Sequence, residues 1–212
     1  MSSQKFPAFL EAAFTAGYTS TDSDKDVFVF ATKRVGDLKV TNGKIIAFDP
    51  LCMYFEDPFT TVFPKGSFPV ELAIATINDD DQRTGFARIK FSDAKPVRWD
   101  FALTDGQNME DLQGDEFFGY GVDSGTGAFM DTSGYAEYER LYKDEEAFAE
   151  IASAMEENYE DTRSWLLWQG DAGNGVLFTS GYGDGLFGSY IGYDAAGKIC
   201  RLVTDFGLLE WE

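Results

Sequence analysis

The dipeptide Asn42-Gly43 separates two apolar runs, "LKVT" and "KIIAF". It constrains the fold of this chain more sharply than any other pair. A type I′ turn needs positive φ at both central residues, which asparagine and glycine tolerate best. The pattern predicts an antiparallel hairpin whose second strand is stopped by Pro50. Other runs read as strands by the same logic: "VFVFATKR", residues 70–77, "GFARIKFSD", "VRWDFAL", "SWLLWQ", "GVLFTSG", "GSYIGYD" and "KICRLVTDFG". In "GFARIKFSD", Phe86, Arg88 and Lys90 alternate with Ala87, Ile89 and Phe91, the period of a half-buried strand.

Two segments change period. In "FPAFLEAAFTA", Phe6, Leu10, Ala13 and Phe14 share one helical face, which predicts an N-terminal helix over about 6–16 ending at Gly17. Between 135 and 161, Phe148, Ile151, Ala152 and Met155 recur at helical spacing and predict helices over about 135–142 and 145–159. Strands in runs without βα alternation predict an α+β, mainly β fold. Its antiparallel sheets form a sandwich or one strongly curled sheet, with two or three short helices. With 212 residues and no internal repeat or linker, a single domain over 1–212 is expected.

Composition removes several chemistries. There are 37 acidic and 17 basic residues, a net charge of −20, and this field repels phosphate backbones and anionic membranes. A basic partner would be attracted. The chain nevertheless has 20 Phe and 44% apolar residues, unlike a disordered acidic chain. It has no histidine, so neither a Ser-His-Asp or Cys-His triad nor a His-ligated zinc or iron site can be built. Cys52 and Cys200 do not form the spacing of a disulfide framework and read as two reduced thiols, Cys200 in a sheet core. The first twenty residues lack the basic and apolar blocks of a signal peptide, and no stretch approaches a membrane span, which predicts a cytoplasmic protein.

"GYGVDSGTGAFMD", residues 119–131, is rich in glycine and aspartate. One reading is a hairpin in which Ser124–Gly127 form the loop and Asp123 caps it by accepting backbone N–H bonds. The other reading starts from a second motif, "TSGYGDGLFGSY", where Asp184 lies between two glycines. If the two loops meet, Asp123, Asp131 and Asp184 converge, and Asp49 and Asp205, also at strand ends, could join them. Such carboxylates suit Ca²⁺, Mg²⁺ or an acid/base pair acting on a sugar. No EF-hand spacing is present, and the glycine runs lack the Lys-Ser/Thr and following helix of a phosphate-binding loop, so no cofactor is called for. Tyr182 and Phe187 flank the second loop, where exposed aromatics would suit sugar stacking or a protein contact. Trp211, in the terminal "LLEWE", either docks on the body or marks a partner contact.

"GDLKVTNGKIIAFDPL", "FPKGSFPVELAIA", "VRWDFAL", "GYGVDSGTGAFMD" and "TSGYGDGLFGSYIGYDAAGKICRLVTDF" together resemble a bacterial family known as domain of unknown function 4241, over about residues 36–206. The resemblance implies a bacterial origin and carries no activity with it. Two functions from different classes follow. The first is a non-catalytic, immunity-type module that binds a basic protein, by analogy with acidic partners of toxins. The alternative is a carbohydrate-acting or divalent-cation-dependent protein using the Asp-Gly loops. A third reading has the acidic residues around 137–161 mimicking nucleic acid.

Overall fold

The computed structural model describes residues 6–54, 56–114 and 116–211. In chain order its elements are α1 (Phe9–Ala12), β1 (Thr19–Thr21), β2 (Val27–Val40), β3 (Ile45–Phe48), β4 (Gly66–Ile77), β5 (Asp81–Lys90) and β6 (Arg98–Phe101). After a single 3-10 turn at Met109–Asp111 come β7 (Tyr120–Val122), β8 (Thr126–Asp131), α2 (Thr132–Tyr142) and α3 (Glu145–Glu157). The chain finishes with β9 (Trp165–Gln169), β10 (Asn174–Thr179), β11 (Gly185–Phe187), β12 (Ser189–Tyr193) and β13 (Ile199–Asp205).

The strands form a seven-stranded sheet in the order β1-β2-β4-β5-β13-β12-β6, a four-stranded sheet in the order β3-β8-β10-β9, and a two-stranded ribbon, β11-β7. All pairings are antiparallel. The mainly β expectation with two or three short helices therefore holds, but the N-terminal helix expected over about 6–16 is reduced to one turn, Phe9–Ala12.

Two large sheets with apolar inner faces bury them against each other. Leu38, Val70, Leu72, Ile89 and Leu202 of the larger sheet pack in one core with Ile45, Ala47, Phe129, Val176 and Phe178 of the smaller. The outer faces are also covered. Phe28, Phe30, Phe86 and Val203 meet Phe9, Leu10 and Phe14 from the N-terminal helix region, with Leu208 and Leu209 from the C-terminal tail. On the far side, Ile46, Phe48, Met130 and Leu177 meet Tyr138, Ile151 and Met155 of α2 and α3.

This layering corrects the half-buried reading of β5. Residues 84–89 are buried on both faces. Arg88 is tolerated there because its guanidinium is paired with Glu71 at 2.7 Å and Glu11 at 3.1 Å, and lies 4.0 Å over the Phe14 ring. Arg201 beside it binds both oxygens of Glu11 at 3.0 and 2.9 Å. One carboxylate from α1 thus neutralises two buried cations and fastens the helix to the sheet. The long β2 shifts register between Arg34 and Gly36 and curls towards the smaller sheet. A Cβ at Gly36 would lie 2.7 Å from the Leu167 side chain, so a larger residue here would make that leucine shift.

The Asn42-Gly43 hairpin is not formed. "LKVT" belongs largely to β2 and "KIIAF" to β3, and these strands lie in different sheets. The dipeptide is the corner between them. Only Gly43 has positive φ, at 85°, where a type I′ turn would need both residues there. Ser124–Gly127 is misread in the same way. β7 pairs with β11 and β8 with β3 and β10, so this loop also carries the chain from one sheet to another. Cys52 and Cys200 are both free thiols, and Cys200 is buried as expected. Among the described residues, no helix is long and apolar enough to cross a membrane.

Candidate functional site

The five strand-end aspartates divide into three groups. Asp49 follows β3 and accepts five hydrogen bonds, from the N–H groups of Leu51, Cys52, Asp123 and Ser124 and from the Ser124 hydroxyl. Asp131 ends β8 and also accepts five, from the N–H and hydroxyl of Thr41, the N–H of Asn42, and the N–H and hydroxyl of Ser133. Through Ser133 it caps α2 as well. Since β3 and β8 are antiparallel neighbours, each of these strands ends in an aspartate that closes the loop entering the other. Burial alone would raise the Asp131 carboxyl, but the bonds from Ser133, Thr41 and Asn42 prevail and hold it below the ordinary range.

Asp131 therefore does not join Asp123 and Asp184. It stands at the opposite end of β8 from Asp123, with every useful lone pair already engaged. The expected cap role of Asp123 falls to Asp49, because the loop bends away from the Asp123 side chain, whose carboxylate accepts a 2.7 Å bond from the Tyr54 hydroxyl instead.

The two Asp-Gly loops do meet. In the ribbon, Val122 pairs with Gly185, so Asp123 and Asp184 emerge at the same end of it. A Cβ on Gly125 would touch the Gly183 Cα at 3.5 Å, which shows how closely the loops are packed. The Cys52 thiol beneath them is pushed up, first by burial and then by the charges of Asp49, Asp123 and Asp184. Both loop aspartates are exposed. Among the described residues, no three acidic or thiol side chains gather closely enough to hold a metal ion.

Beside the junction is a cleft of about 380 Å³ between the loops and α3, lined by Ser124, Gly125, Gly183, Tyr182, Glu156 and Tyr159 among others. Tyr182 is 61% exposed and stands 5.4 Å from the Arg83 guanidinium. Phe187 behaves differently. Only 7% exposed, it packs against Phe206 with ring centroids 5.1 Å apart, so it is core rather than a contact residue. Residues 185 to 187 alternate along a strand, and the side chain at Phe187 falls on the buried face.

Asp205 lies elsewhere, at the end of β13, facing a second cavity of about 350 Å³. It is 5% exposed and accepts 2.8 Å bonds from the Gly207 N–H and the Trp211 indole N–H. Burial lifts its carboxyl to about 6 despite these two bonds. Trp211 thus docks on the body, packing on Tyr190 with centroids 5.1 Å apart. Sequence reasoning missed Tyr54, Tyr159 and Glu156 at the loop junction. Nothing local in "MYFED" or "EENYED" signals proximity to loops about seventy or thirty residues away.

The fold and the loop junction define a mainly β protein of antiparallel sheets, one of them strongly curled, with a polar, tyrosine-edged cleft and no histidine. The chain belongs to the family described as protein of unknown function DUF4241, whose family model matches residues 38–204. No curated protein and no solved structure matches it.

Proposed function

We propose that this chain is a non-catalytic binding module that captures a basic protein through α3 and the adjoining cleft. The observation that carries this reading is the distribution of charge along α3, which reaches that cleft at Glu156. Asp144, Glu145, Glu146, Glu150, Glu156 and Glu157 are all exposed, and no basic residue occurs from 144 to 162. The helix faces solvent on this side while Ile151 and Met155 hold its other face to the smaller sheet. Tyr159 and Tyr182, both more than half exposed, stand in the same cleft as Glu156. Arg83 also lines the cleft but is paired with Asp81, so the net field of the rim is acidic, and aromatic anchors beside such a rim favour fast capture and specific seating of an oppositely charged surface. In its sharpest form the partner is a toxin, held inactive in a bacterial cytoplasm.

The test is affinity capture by the tagged full chain from cells of its source organism, at low and high salt. A variant carrying Glu145→Lys, Glu146→Lys, Glu150→Lys and Glu157→Lys serves as the control. The wild type should retain a basic protein at low salt, with association slowing steeply as salt rises. The variant, folded to the same melting temperature, should lose it. Capture of nothing at low salt, or of the same proteins by both forms, overturns the reading.

One observation favours the alternative, a carbohydrate-acting or divalent-cation-dependent site: Asp123 and Asp184 share one end of the ribbon, beside Tyr54. A rise in melting temperature with Ca²⁺ or Mg²⁺ that disappears in Asp123→Asn and Asp184→Asn would move the assignment to that class.

A further inference from the structure

We propose that the cavity closed by the C-terminal tail is a binding site for a small organic cation of the alkylammonium class. Its walls are aromatic: Phe101, Phe117, Tyr190 and Trp211 surround it, and its charged groups are Glu116 and Asp205. Among the described residues, no lysine or arginine lines it. Phe101 and Tyr190 pack with centroids 5.3 Å apart and Tyr190 and Trp211 at 5.1 Å, so three rings form one continuous surface. The faces of such rings attract cations that keep little hydration, and quaternary and alkyl ammonium ions are the usual guests of aromatic cages.

Asp205 supplies the counter-charge. A carboxylate offers about four acceptor positions, and this one receives two hydrogen bonds. No ion pair involves it among the described residues. A buried carboxylate without a cation is an expensive arrangement that a cationic guest relieves. Other ligand classes fit less well. An anion would meet two carboxylates, and a hard metal ion would want more oxygen ligands than Asp205 and Glu116 provide. A cavity of about 350 Å³ is of the size that encloses small ligands.

This inference does not rest on the basic-partner reading. The cavity is bounded by Leu186–Gly188 at the far end of β11, whereas the cleft is bounded by Tyr182 and Gly183 before its start. The experiment is a calorimetric titration of the full chain with tetramethylammonium, choline and n-butylammonium at constant ionic strength. The neutral control is 3,3-dimethyl-1-butanol, the uncharged carbon isostere of choline. A short peptide with one lysine distinguishes a free amine from a protein side chain as the source. At least one cation should bind saturably, with the alcohol roughly tenfold weaker or worse. Asp205→Asn and Trp211→Leu should each weaken binding by a similar factor; should either fail to fold, Phe117→Ala takes its place. Peptide binding matching that of n-butylammonium assigns the site to a side-chain anchor, and binding of free amines alone assigns it to a small metabolite. Absence of saturable binding by every cation, equal binding of the alcohol, or unchanged affinity in the folded variants overturns the proposal.

Discussion

Asp131 and Asp205 are both buried and both sit at strand ends, yet they behave in opposite ways. Asp131 is fully buried and receives five hydrogen bonds, and its carboxyl titrates below the ordinary range. Asp205 receives two and is lifted to about 6. Both are closed to solvent, but Asp205 lies deeper in the protein, so desolvation weighs more heavily on it while fewer donors oppose that weight. Depth of burial and the number of donors aimed at the charged form together decide which carboxylate is a structural clamp and which stays chemically unfinished. The contrast separates the scaffold end of the molecule from the aromatic cavity.

Removing the clamp should have the largest effect. Asp131→Ala leaves the Thr41, Asn42 and Ser133 donors without an acceptor and should cost roughly 3 to 5 kcal/mol in urea denaturation. Asp49→Ala should fall in the same range, and a loss below about 1 kcal/mol in either would break the comparison. For Asp205 the sign reverses. Its folded-state pKa is raised to about 6, so between about 4 and 6 the folded chain holds a proton that the unfolded chain has released. Its contribution to stability is therefore greatest at low pH and is lost as pH rises through that window. Asp205→Asn should flatten this slope, gaining on the wild type by about 2 to 3 kcal/mol between pH 4 and pH 7. Stability curves of the two proteins that stay parallel would show that burial does not raise the Asp205 carboxyl.

Glu11→Ala tests a third buried charge site. It strips Arg201 of its one carboxylate partner among the described residues while Arg88 keeps Glu71, and about 2 to 3 kcal/mol should be lost. The smallest effect belongs to the exposed loop pair. Tyr54→Phe removes a single bond to Asp123 and should change the melting free energy by about 0.5 kcal/mol or less. A larger loss would place Asp123 with the clamps.

The element types were legible from periodicity, and the partners of the strands were not. Helical spacing at Phe148, Ile151 and Met155 marks α3 directly, since Ile151 and Met155 face the smaller sheet on successive turns while Phe148 packs on Tyr142 of α2. Asn42-Gly43 and Ser124–Gly127 mark sharp reversals correctly but say nothing about which strand lies next door. A glycine with positive φ serves a hairpin and an inter-sheet corner equally well. The same blindness placed Asp131 with the loop aspartates. Its donors come from residues 41 and 42 as well as 133, and only the pairing of β3 with β8 brings them together. The meeting of Asp123 and Asp184 was foreseeable as a possibility of composition, and the ribbon register makes it real. The cavity around Asp205 depends on a tail that folds back over rings about a hundred positions away, which no short window contains.

The reciprocal closure of β3 and β8 has a mechanical consequence. Two bolts at opposite ends of one strand pair forbid both sliding and pivoting, so the pair moves as a single beam. Its backbone amides should be among the last in the protein to trade hydrogen for deuterium, whatever the outer layers are doing.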